Sequence, residues 1–359
     1  MTTQDRLPII VGHQDTLLNL YLPERGGGRS FFVRSDKGHV DLPRAREGGM
    51  AGSFFAIFVP EPCDDCDTKD KQMVVIQTAN GHEVPYAPAI EADYARRVTI
   101  TMMANLFRLE AESEGQVRVA RTVEDLEYCL AHDIHAAIMH IEGAEAIDAN
   151  LDTLEVFYRA GLRSVGLVWS RPNIFAQGVP FKFPHSPDTG PGLTDAGRDL
   201  VRACNRLGIM LDLSHLNEQG FWDVAALSEA PLVATHSNVH AICPSTRNLT
   251  DKQLDAIKES QGLVGLNFAV YDLREDSHRD ADTPLDLLVR HIDYLVERLG
   301  IDGVVLGSDF DGTLIPAAIG DAAGLPNLVD ALRLHGYDDA ALRKIAYENW
   351  LRVLRKTWK

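Results

Sequence analysis

The sequence predicts an α/β protein of the (β/α)8 TIM-barrel type, and three observations lead there. Eight short apolar runs recur along the 359 residues, most of them continuous, as parallel strands buried on both faces require. Between them lie segments with apolar residues at three- and four-residue spacing, the mark of amphipathic helices. Acidic and imidazole side chains stand at the ends of several runs, where the strands of a closed barrel would bring them together. A doubly wound open sheet fits less well. No Gly-rich phosphate loop follows the first run, and the polar residues are not gathered at one switch point.

The first strand, PIIVG (8–12), leads into His13, Gln14 and Asp15. Residues i and i+2 share a strand face, so His13 and Asp15 can both enter the barrel mouth and chelate one metal. A hydrogen-bonded core histidine is the alternative. Strand two is SFFAIFV (53–59). The helical segments ADYARRVTITMMANLFRLEAE and VEDLEYCLA then precede strand three, AAIMHIE (136–142), which Glu142 closes. A carboxylate ending so apolar a run is costly unless paired or metal-bound, and its two oxygens could bridge two cations. Capping the next helix start is the alternative. His140 shares its face and is at most a supporting residue.

DTLEVFYRAG leads to strand four, SVGLVW (164–169), and then to the Pro- and Gly-rich stretch 171–192, read as a wall or lid of the substrate pocket. TDAGRDLVRACNRLG opens on the candidate N-cap Thr194 and stops at Gly208, as other helices stop at Gly161 and Gly300. Strands five, IMLDLS (209–214), and six, LVATH (232–236), end at His215 and His236. Two imidazoles at successive strand ends favour metal ligation over isolated core packing. Arg247 follows in a loop before DKQLDAIKESQ. It could clamp a substrate carboxylate through two parallel hydrogen bonds, or be an ordinary surface arginine. Strands seven, LVGLNF (263–268), and eight, VVLGSDF (304–310), flank PLDLLVRHIDYLVERLG. Asp309, near the cations without bridging them, is placed to carry a proton from water to a leaving amine. Asp311 shares its strand face and could cap the next helix.

Composition narrows the partners. With 45% hydrophobic residues a large core is feasible, so residues 1–359 read as a single (β/α)8 catalytic domain with loop insertions near 22–50 and 171–192. A formal net charge of -17, from 52 acidic against 35 basic residues, argues against nucleic acid and anionic membranes as partners. No run is long enough to span a bilayer, and the N-terminus lacks a signal-peptide pattern. The five dispersed cysteines include one CxxC, Cys63 and Cys66, without a second pair or neighbouring histidine. Reduced thiols in a cytoplasmic protein are the reading they suit.

Through GHQD, HIEG, GLTDAGRDLVRACNRLGIMLDLSH, APLVATHS, STRNLTD, GSDFDG and ALRKIAYENWLRVL, nearly the whole chain resembles the membrane (renal) dipeptidase family. The resemblance is to zinc peptidases on an amidohydrolase-type barrel, here of the soluble bacterial branch. It implies two zinc ions per chain, one held by His13 and Asp15, the other by His215 and His236, with Glu142 bridging. A hydroxide between the ions would attack the peptide carbonyl of a small unblocked dipeptide, often one with a D-residue at its C-terminal side. Asp309 would pass the proton to the departing nitrogen, Arg247 would grip the C-terminal carboxylate, and a homodimer is the family expectation. One departure stands out. Where family members carry a histidine at the end of strand four, this chain has Trp169, expected as a pocket wall, with Arg171 or Asn173 as substitute donors to the substrate. Relatives that act on cyclic amides, deaminate or cleave phosphoesters usually begin with H-x-H and a modified-lysine bridge, so H-x-D with a glutamate favours the dipeptidase. A catalytically silent binding protein on the same barrel is the reading from another class, and the missing histidine is its support.

Overall fold

The computed structural model describes residues 6–62 and 74–359. Cys63 and Cys66 lie outside the described residues. Eight parallel strands close into a barrel in chain order: β1 (Ile9–Gln14), β2 (Met50–Phe58), β3 (His135–Glu142), β4 (Leu162–Gly166), β5 (Met210–Asp212), β6 (Val233–Ala234), β7 (Leu263–Asn267) and β8 (Val304–Phe310). The ring is completed by β8 pairing with β1, His13 opposite Ser308, and by β2 running beside β3 from Gly52–Ala136 to Phe58–Glu142. All eight apolar runs of the sequence are these strands.

Alternation sorts the side chains into two cores. Inward residues Ile10, Phe54, Ile138, Met210, Val233, Leu263 and Val305 form one cluster with Trp350, from the C-terminal helix Asn349–Thr357. Trp350 is fully buried, with its indole 4.6 Å from the Phe54 ring, and stops the lower end of the barrel. Outward residues such as Val11, Ile57, Met139, Leu211 and Leu266 belong to the larger cluster under the helices. The strands come close together where glycine permits. A Cβ on Gly12, Gly265 or Gly307 would lie 2.4, 1.9 or 2.6 Å from the Thr235 carbonyl oxygen.

The helices match their sequence signals. Thr194 accepts from the Gly197 N–H, Thr250 forms a capping box with Gln253, and Gly208 closes its helix at φ 72°. Several features were not read from the sequence, among them Val117–Val119, a strand parallel to β3 outside the ring of eight. Ile76–Thr78, Gly81–Val84 and Phe181–Phe183 form a three-stranded antiparallel sheet that joins the segment after β2 to the 171–192 insertion. The 22–50 insertion carries a short helix, Leu42–Glu47, capped by Asp41, and folds against the end of β8. Among the described residues no helix is long and apolar enough to cross a membrane.

Candidate metal centre

The upper ends of the strands gather the expected ligands into one buried cluster. The register of β1 slips between His13 and Gln14, and both His13 and Asp15 turn toward the mouth. Their side chains lie 3.3 Å apart, from Nε2 to Oδ2. Glu142 rises from β3 with its two oxygens facing different partners. Oε2 is 3.6 Å from His13 Nε2, while Oε1 is 3.2 Å from His215 Nε2 and 3.5 Å from His236 Nε2. Asp309 closes a second group with His13 and Asp15, whose ligand atoms lie within 4.8 Å of one another.

Surrounding groups set the imidazole orientations. Thr235 Oγ1 donates to Asp212 Oδ2 at 2.5 Å and lies 2.8 Å from His236 Nδ1. With its proton given to Asp212, that hydroxyl accepts from Nδ1–H and leaves the His236 Nε2 lone pair free for a cation. Ser170 Oγ, 3.0 Å from His215 Nδ1, does the same for the neighbouring ligand. His140 lies lower, its Nδ1 2.9 Å from Ser164 Oγ and its Nε2 3.7 Å from Asp212, and takes a supporting place. His215, Ser308, Asp309 and Asp311 have φ between 65° and 68°, the left-handed region. Such backbone costs on the order of 1–3 kcal/mol per residue and persists where the surroundings enforce it. These left-handed residues also break strand alternation, so Asp309 and Asp311 do not share a face as expected. Nor does Asp311 cap a helix. Its carboxylate instead accepts from Thr16 and His39 in the 10–50 region of the chain.

The electrostatics favour cations. Burial disfavours charge on His13, yet Glu142, Asp15 and Asp309 together carry it up to about 10. Burial pushes Glu142 up to about 8 against the pull of His13, with Asp15 and Asp309 adding to the rise. Asp309 is likewise raised to about 7 by burial, although His13, Arg247 and the Asn267 amide oppose it. Burial holds His215 and His236 well below the ordinary imidazole range. Both nitrogens of His13 are buried without a hydrogen-bond partner. Buried nitrogens left bare, facing crowded carboxylates, fit divalent metal, and the mixed imidazole and carboxylate set suits zinc.

Arg247 is 5% exposed, which removes the surface-arginine alternative. It donates to the His236 carbonyl at 3.0 Å and to Ser237 Oγ at 3.4 Å. Trp169 packs edge-on to Phe58 at 5.1 Å and lies 5.9 Å from the His215 ring, as a wall beside the ligands. Phe181, 6.2 Å from the same ring, also lines a cavity of about 720 Å3 with Phe183, His82 and Tyr271. The expected donors Asn173 and Arg171 both have partners within the protein. Asn173 is spent within its own loop, donating to Leu167 O and accepting from the Phe175 and Ala176 amides. Arg171 is buried against the Phe58 and Trp169 rings, 3.2 Å from Glu145 and donating to Val59 O through Nη2, while its Nη1 has no hydrogen-bond partner among the described residues.

Sequence reasoning missed Ser170, Thr235, Asp212 and Asn267. The signal available was the aspartate inside LDLS, a charge within an otherwise apolar strand.

Comparison with known proteins shows the family of the chain. The profile of the membrane dipeptidase family (peptidase family M19) matches residues 2–359. A metallopeptidase from Rhodobacter sphaeroides, solved with a phosphinate mimic of the dipeptide L-Ala-D-Ala, is 52% identical with a TM-score of 0.92; the match covers 98% of this chain and 99% of that one. An uncharacterised Klebsiella pneumoniae protein from the region 5′ of pqqA is 51% identical over 257 residues, 72% of this chain and 95% of that protein. Dipeptidase tcpJ of Claviceps purpurea is 28% identical over 350 residues, 96% of this chain and 76% of that protein.

Proposed function

The chain belongs to the membrane dipeptidase family, and we propose from that premise that it hydrolyses small unblocked dipeptides, L-Xaa-D-Xaa among them, using two zinc ions. The observation that carries this is the division of Glu142. One oxygen faces His13, beside Asp15, and the other faces His215 and His236, the disposition a carboxylate bridging two cations needs. Bound there, the ions would polarise the scissile carbonyl and supply a nucleophile from water near neutral pH.

The protein's own groups do the rest. Asp309, beside the cluster and steadied by Asn267 at 3.0 Å, takes a proton and delivers it to the departing nitrogen. Arg247, next to the His236 ligand, holds the substrate's terminal carboxylate and so measures out a dipeptide. Trp169 is the wall against which the substrate packs. The ligand of the Rhodobacter sphaeroides enzyme supports a substrate with a D-residue in second place. We further infer a homodimer, and a cytoplasmic setting in which the buried thiols of Cys129, Cys204 and Cys243 stay reduced.

Purified protein reconstituted with zinc is expected to bind two ions per chain and to release free alanine from L-Ala-D-Ala. Absence of turnover across a dipeptide panel of both stereochemistries would refute the activity. A single ion at saturation would refute the bridge.

A further inference from the structure

We propose that Asp311 is a positioning residue: it ties the 22–50 insertion to the end of β8 and thereby aims the Asp309 carboxylate into the metal centre. The inference rests on the reading of Asp309 as the proton carrier. Asp311 is 4% exposed and does not enter the ligand cluster, yet it joins three segments distant in the chain. Its Oδ2 accepts from Thr16 Oγ1 at 2.9 Å, and Thr16 directly follows Asp15. Its Oδ1 accepts from the His39 N–H, and its own N–H donates back to His39 Nδ1 at 2.9 Å. Arg25 donates to its carbonyl at 2.6 Å, and the Arg29 guanidinium stands 3.8 Å from the carboxylate.

The position of these contacts gives them their purpose. Ser308, Asp309 and Asp311 all occupy left-handed backbone, which three non-glycine residues so close together do not adopt unless held. Among the described residues, Asp309 receives a side-chain hydrogen bond only from Asn267. Bonds from Ser308 Oγ to His13 O and from the Asp15 N–H to Phe310 O hold the near side of this turn, and the insertion holds its far side through His39, Arg25 and Arg29, applied at Asp311. Gly38 leaves room for it, since a Cβ there would lie 2.8 Å from Asp311 Oδ1. A carboxylate whose charge faces Arg29 and whose oxygens accept from Thr16 and His39 holds this junction; a neutral amide can keep the Thr16 contact, since a hydroxyl also accepts, but it removes the charge that faces Arg29.

The test is a double-mutant cycle on zinc-loaded protein with L-Ala-D-Ala as substrate. Asp311→Asn is expected to lower kcat about 10- to 100-fold, with KM and zinc content within about threefold of the parent, as for a catalytic group displaced by roughly 1 Å. Combined with Asp309→Asn, it should add less than about twofold to the loss of Asp309→Asn alone, because it acts through that residue. Arg29→Met, which leaves Asp311 in place, should show the same pattern more weakly and serves if Asp311→Asn fails to fold. Multiplicative losses in the double variant, or parental kcat in Asp311→Asn, would overturn the inference while leaving Asp309 its role. Near-parental activity in Asp309→Asn would instead remove the proton carrier itself, and the inference with it.

Discussion

Gly312→Ala offers a clean separation of stability from catalysis. A Cβ on Gly312 would fall 2.3 Å from Asp15 Oδ2 and 2.3 Å from Asp309 Oδ1, where ordinary contacts begin at 3.4 Å. Both oxygens must therefore retreat by about 1 Å. They are the ends of short rotatable side chains, so the fold absorbs the change cheaply. The backbone at 312 is not left-handed, and alanine there should restrict the unfolded chain, worth about 0.4–1 kcal/mol in favour of folding. The chemistry does not absorb it. Displacing a ligand and the proton carrier by 1 Å should cost about 100-fold in kcat/KM, or roughly 2.7 kcal/mol of barrier. Thermal unfolding and steady-state hydrolysis of L-Ala-D-Ala, measured side by side, check both halves. Gly336→Ala is the inverse control, because its φ of 111° strains any Cβ although nothing lies within 4 Å. It should lower Tm and leave kcat of the folded enzyme intact. Parental kcat/KM in Gly312→Ala would mean that Asp15 and Asp309 do not meet at the reacting centre.

Asp309→Asn should reduce kcat by about two to four orders of magnitude with zinc content unchanged, measured by turnover and elemental analysis. Arg247→Ala should chiefly raise KM for free dipeptides, and dipeptide amides should bind parent and variant equally poorly, since the lost partner is a remote carboxylate. Zinc affinity should fall as pH drops below about 10, where protons on His13 compete with the metal, and more steeply below about 8, where Glu142 adds its own; calorimetry in buffers of different ionisation enthalpy should register their release. Metal-free protein should lose Tm as pH rises from about 6.5 to 9. Folded Glu142 and His13 hold protons there that the unfolded chain has released, so both withdraw stability with increasing pH. A flat or rising profile would contradict that crowding of charge.

Much of this was legible in the residues because burial on both faces leaves strands a continuous apolar signature. Runs such as AAIMHIE could hardly be anything else, and their polar ends marked the ligands. His13 and Asp15 do meet, although a slip in the β1 register and not simple alternation lies between them, and alternation neither separated Asp309 from Asp311 nor revealed the partner of Arg171. Those outcomes depend on left-handed backbone at the end of β8 and on an ion pair with Glu145, which only tertiary packing creates. The sheet of Ile76–Thr78, Gly81–Val84 and Phe181–Phe183 escaped for the opposite reason. Its strands are short and partly exposed, so neither hydrophobic period nor length set them apart from loop.

Trp350 and the inward ring of apolar side chains make the catalytic well blind-ended. Substrate enters and both freed amino acids depart through one passage, so no product can drain away through the base. On the proposed reading, a departing amino acid whose carboxylate still sits on Arg247 would block the next arrival. Turnover in concentrated amino-acid pools would then depend on traffic at that single doorway as well as on bond cleavage.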